Sequence, residues 1–139
     1  MSLQNQELRT EIISESVAGR PIHITADYTT ATDITHLHDM TEDDVLDSVH
    51  IQVYNGYSSE VILYLVLNPA DYTSTSSVDD ATLTIAIPRY SMVEVLKGKR
   101  FRLVSGSAYT IGAYVATADI GRLHVTGWYN RLKSGELTA

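Results

Sequence analysis

The residues best placed to do chemistry are His36-Leu37-His38-Asp39, followed closely by Glu42, Asp43, Asp44 and Asp47. In a regular strand His36 and His38 project from one face. Their imidazoles could there ligate a divalent ion, with Asp39, Asp43 or Asp47 adding oxygens. Two histidines with no third ligand at a fixed spacing are equally explained as the wetted face of a strand, so metal binding by His36 and His38 stays open. The acidic run lacks the alternating Asp/Asn spacing and the glycine of a calcium loop. Ser105-Gly106-Ser107 matches no nucleophile elbow, and no glycine-rich phosphate loop is present. With no cysteine there is no thiolate nucleophile, no disulfide and no thiolate metal site. These residues spell no catalytic grammar, and the expectation is a protein that is not an enzyme and carries no cofactor.

A second group could bind rather than react. Lys97-Gly98-Lys99-Arg100-Phe101-Arg102 reads as a basic hairpin turning at Gly98, with Phe101 inward and Lys97, Lys99, Arg100 and Arg102 free to meet an acidic protein surface. A net charge of −7 over 139 residues argues against nucleic acid as the partner. The charge is unevenly placed. Up to Pro88 there are 14 acidic and two basic residues, and from Arg89 onward eight basic and three acidic. Internal ion pairs, or an acidic patch of one copy meeting a basic patch of the next, would both follow. Nine tyrosines against one Phe and one Trp add contact area with polar tips, a composition that suits interfaces. Trp128 and Tyr129 are adjacent, so in a strand one at most is core.

The elements that must position these groups are short strands. Val49, Ile51 and Val53 alternate with polar neighbours, as do Leu83, Ile85 and Ile87, which is the pattern of strands buried on one face. Strands are expected at 48–54, 60–67, 81–87, 91–96, 100–104, 109–116 and 122–129, with shorter ones at 22–25 and 32–37. Thr41-Glu42-Asp43-Asp44 could cap one helical turn at Val45-Leu46, and Asn55-Gly56 opens a hairpin signal. Residues 1–20 read as an extended arm with a short strand near Glu11–Ser14, offering Leu3, Leu8 and Ile12 to a neighbouring copy or partner. Residues 21–130 form the domain and 131–139 a polar tail. About eight evenly spaced core strands predict an all-β fold, an antiparallel, jelly-roll-like β-sandwich. The N-terminus lacks the pattern of a signal peptide, and the longest apolar run, Val61–Leu67, is too short to span a bilayer, so no membrane is expected.

The order of elements carries a resemblance. Ser48–Asn55 leads to Val61–Leu67, then Leu83–Pro88, then Leu96-Lys97-Gly98 with Phe101-Arg102-Leu103, then Tyr114-Val115 and Val125-Thr126-Gly127-Trp128-Tyr129. Over residues 32–129 this resembles the small β-sandwich structural proteins of tailed bacteriophage virions, in particular the capsid decoration (cement) type. The resemblance implies assembly rather than catalysis and carries over no active-site residue. It implies a major capsid protein as partner, a homo-oligomer with a trimer favoured, and a place on the outer capsid surface of the virion after assembly in the host cytoplasm. Contact is expected from the arm, the basic hairpin and the loop tyrosines Tyr57 and Tyr72. A tail or head–tail accessory protein is the nearest alternative, and a carbohydrate-binding module is the alternative of another class.

Overall fold

Alternation in the sequence becomes alternation in space. In β4 (Val45–Asn55) the odd-numbered residues from Val45 to Val53, and Asn55, are buried, while the even-numbered ones face outward. The computed structural model describes residues 7–27, 34–42, 45–67, 82–103 and 109–133. Among them lie nine strands: β1 (Glu7–Ile12), β2 (Ile22–His23), β3 (Thr35–Met40), β4, β5 (Val61–Leu67), β6 (Thr82–Ile87), β7 (Met92–Leu103), β8 (Tyr109–Tyr114) and β9 (Leu123–Lys133). One five-stranded sheet runs β7-β4-β9-β1, with β2 also paired to β9, and one four-stranded sheet runs β3-β8-β5-β6. All strand pairs are antiparallel, and the chain passes back and forth between the sheets. This is the double Greek-key order of a jelly roll.

The two inner faces close on one apolar core. Val49, Ile51, Val53, Phe101 and Val125 come from the larger sheet, and Leu37, Leu63, Leu65 and Ile111 from the smaller. Ile13 and Ile24, from the segments after β1 and β2, fill the same core. The outer face of the smaller sheet is covered in part. Ala26 and Ile34 lie there with Tyr64, Val66 and Tyr114, and Asp27 bridges to Val115. The outer face of the larger sheet has no such cover among the described residues.

Several expectations are corrected. Val45-Leu46 opens β4 and forms no helical turn, because Val45 enters the core opposite Leu103. Asn55-Gly56 makes no hairpin: β4 and β5 belong to different sheets, and the buried Asn55 amide donates to the carbonyls of Ser59 and Ile87 while its oxygen accepts from Tyr57 N–H. Lys97-Gly98-Lys99 is no hairpin turn either. It lies inside β7, a single strand along the edge of the larger sheet, and Gly98 takes φ +72° as the extra residue of a bulge between Val49 and His50 of β4. The strand within the arm runs from Glu7 to Ile12 rather than near Glu11–Ser14, paired along its length with β9. β9 itself continues to Lys133, beyond Tyr129 and into the stretch read as tail.

Candidate functional site

Polar groups converge at the end of the sandwich where β1, β3, β4 and β9 meet. Asp47, at an inward position of β4, is fully buried. Arg131 on β9 reaches it with two parallel bonds, Nε to Oδ1 and Nη2 to Oδ2, both 2.7 Å. His38 on β3 places Nε2 2.8 Å from Oδ2. The Ser14 backbone N–H points at His38 Nδ1 at 3.1 Å. A backbone N–H can only donate, so Nδ1 accepts and the ring proton sits on Nε2, directed at Asp47. Glu42 extends the network outward, accepting from Arg131 Nη1 at 3.1 Å and Arg9 Nη2 at 3.2 Å and pairing with Lys133 at 2.9 Å.

Electrostatics follow the geometry. Burial alone would raise the Asp47 carboxyl, but hydrogen bonds from Arg131 and His38 outweigh it and hold the group below the ordinary aspartate range. The Lys133 bond does the same for Glu42. Asp47 holds the Arg131 guanidinium firmly protonated. Tyr129, buried beside them with its ring 4.3 Å from that of His38, donates its hydroxyl to Glu11 at 2.8 Å. Burial first, and that bond second, push it up to about 12. His38 is fully buried with both ring nitrogens engaged, so this His–Asp pair has no face to offer a substrate. The arrangement is a clamp joining the two sheets.

Among the described residues, the outer face of the larger sheet is left open. Register sets its side chains in rows across the strands. One row runs Ile12, Trp128, His50, Lys97, and another His23, His124, Tyr54, Met92. His50 stacks on Trp128 at 3.8 Å and His23 on His124 at 4.3 Å. Ile12, Trp128, Tyr54 and Met92 remain exposed, at 51%, 39%, 43% and 60%. Arg100 lies opposite Ser48 and Arg102 opposite Leu46, so both point outward with Lys97 along the edge strand. Lys99, in register with the buried Val49, reaches back over the Phe101 ring at 5.8 Å. Nearby a hollow of about 230 Å³ is lined by Gly56, Tyr57, Gly121, Arg122 and His124. Arg122 caps the Tyr57 ring at 3.5 Å and bonds Asp119 at 2.7 Å, so its charge is already engaged.

The sequence-derived residues thus separate. His36 and His38 do not share a face: a bulge at Leu37 leaves His36 exposed and turns His38 into the core. Asp47 joins His38, but in a clamp with Arg131 rather than around a metal. Asp43, Asp44, Leu3, Tyr72 and Ser105-Gly106-Ser107 lie outside the described residues. Leu8 sits on β1 opposite Leu132, and Ile12 opposite Trp128. Of the adjacent aromatics, Tyr129 is core and Trp128 is surface. Sequence reasoning missed Arg131, Glu42 as its outer partner, and the cross-strand rows of His50 and His124. Only the register of strands far apart in the chain brings these together.

No protein-family model matches the chain, and no curated protein matches it. Solved structures align with it over most of its length. One, from Bacillus endospore appendages described as a family of disulfide-linked pili, aligns over 92% of this chain and 89% of its own at 9% identity and TM-score 0.52. The coat protein of Tobacco streak virus aligns over 94% and 87% at 10% identity and TM-score 0.45. The globular domain of zebrafish complement 1qA aligns over 88% and 94% at 10% identity and TM-score 0.39. The pilus likeness agrees with the sandwich architecture. Disulfide linkage between copies is not open to this chain, which has no cysteine.

Proposed function

We propose that this protein is a structural subunit of a tailed-phage virion, acting as a capsid decoration protein that binds the outer surface of the major capsid lattice as a homo-oligomer, with a trimer favoured. The observation that carries the reading is the outer face of the larger sheet, which no other described segment covers. It combines exposed apolar and aromatic side chains, Ile12, Trp128, Tyr54 and Met92, with the cations Lys97, Arg100 and Arg102 on its edge strand. The two aromatic rows flank a polar one, Gln52, Thr126 and Glu94, and exposed aromatic side chains interleaved with polar groups suit a protein–protein contact. Closed oligomers use such faces, and the cations suit an acidic protein partner. The sequence resemblance to virion β-sandwich proteins selects the class. The His38–Asp47–Arg131 cluster supports a structural role because it is buried and internally satisfied. A tail or head–tail accessory role uses the same surface and differs only in the partner.

The carbohydrate-binding alternative fits less well. A sugar stacks on the open face of an aromatic ring, and His50, stacked with only 7° between the planes, occupies one of the two faces of Trp128. Co-sedimentation with capsids assembled without the protein tests the main reading. The native chain should pellet with the capsids. Arg100→Glu combined with Arg102→Glu should weaken attachment by about ten-fold or more, as losing two interfacial charges does. Trp128→Ala should weaken it as well. A native chain that stays monomeric and remains in the supernatant would overturn the reading.

A further inference from the structure

We propose that Glu15, His36 and Asp39 form a surface site for a transition-metal dication of the zinc type, fastening the segment after β1 to edge strand β3. One imidazole nitrogen and two carboxylate oxygens lie within 4.8 Å of one another. His36 Nδ1 is 3.1 Å and 3.3 Å from the two oxygens of Asp39. One imidazole and two carboxylates, completed by water, is a donor set that zinc accepts. Calcium and magnesium prefer six or more oxygens and no nitrogen.

A regular strand would not make this site, because residues 36 and 39 would point to opposite faces. The bulge supplies the change. Leu37 and His38 both turn inward, and His36 and Asp39 return to the same outer side. Bulges recur where a strand must re-aim a side chain. The third ligand arrives from the other sheet on a segment held by its own backbone. Glu15 N–H donates to the Leu37 carbonyl at 3.3 Å, Ser14 N–H to His38 Nδ1 at 3.1 Å, and Asp39 N–H to Ser14 Oγ at 2.7 Å. The carriers of all three ligands are therefore fixed before any ion arrives, and binding needs only rotation of exposed side chains. An ion here would cross-link the two sheets in a chain that has no cysteine to do so.

The test is isothermal titration of the chelator-treated full chain with zinc chloride, together with thermal unfolding in the same solutions. The native chain should take up one ion and gain roughly 5–10 °C in Tm at a hundred-fold excess over Kd. His36→Ala and Glu15→Gln should each lower zinc affinity by about ten-fold or more and leave the metal-free Tm nearly unchanged, since both side chains are exposed. Calcium and magnesium should give a smaller shift than zinc. His124→Ala, which removes the stacked His23–His124 pair on the far face, should bind zinc like the native chain. No saturable binding, full binding by His36→Ala or by Glu15→Gln, or loss of binding in His124→Ala would each overturn the assignment; in the first case the His36–Asp39 contact is an ion pair only.

Discussion

Asp47 occupies an inward position of β4 between Val45 and Val49, where an apolar residue would be the ordinary choice. Its two oxygens receive Arg131 and His38, so removing it leaves Nε and Nη2 of Arg131 and the imidazole donor of His38 unmatched in the interior, with Glu42 still holding Nη1. Asp47→Ala should cost about 3–5 kcal/mol in urea-unfolding stability, the range for breaking one side of a buried pair. Acid adds a second reading. The Asp47 carboxyl titrates lower folded than unfolded. Its contribution is therefore complete above the unfolded-state value near pH 4 and is lost as pH falls from there through the folded-state value. Glu42 shifts in the same direction. Unfolding free energies measured from pH 6 downward should fall in that window for the native chain and more gently for Asp47→Ala. Tyr129 works in the opposite sense. Its folded value of about 12 stands above the ordinary tyrosine value of 10, so its contribution is whole below pH 10 and lost between pH 10 and 12. Ultraviolet titration should show a late tyrosine ionisation that is missing in Tyr129→Phe.

At the scale of elements, β4 and β9 form the spine of the larger sheet, and Gly127 of β9 lies opposite Ile51 of β4. A Cβ there would stand 2.4 Å from the His50 carbonyl oxygen and 3.2 Å from Ile13 and Ile51 side-chain carbons. Gly127→Ala should destabilise by about 1–3 kcal/mol, the cost of overpacking, measured as a lower urea midpoint. Strands of this kind were legible in the sequence because alternation is local: the 48–54, 60–67 and 81–87 readings fall on β4, β5 and β6. Turns were less legible because the same dipeptides serve different ends. Gly98 provides the positive φ of a bulge as readily as that of a hairpin, and Asn55-Gly56 was read as a hairpin although Asn55 anchors a crossing between sheets. The pairing of His36 with Asp39 was hidden by one bulge residue, Leu37. Arg131 looked like part of a polar tail because its partner, Asp47, lies 84 positions away in the chain. The bulges in β7, at Gly98 and between Ile51 and Gln52 of β4, also twist an edge strand that carries cations. Both devices discourage indiscriminate strand addition at this edge.

For the whole molecule, the jelly-roll order separates neighbours in space from neighbours in sequence: among the described residues, only β5 and β6 are consecutive strands that pair. β9 holds the centre of the larger sheet, with β4 on one side and β1 and β2 on the other. A growing chain meets this as a timing constraint. β1 and β4 leave the ribosome long before the strand that joins them, and at about 5–20 residues per second the wait is on the order of 10 s. Throughout that interval the row Ile12, Trp128, His50, Lys97 cannot exist, since its second member has yet to be translated. Nascent chains therefore lack the proposed contact face, and chains interrupted before residue 123 could not enter an assembly by that route.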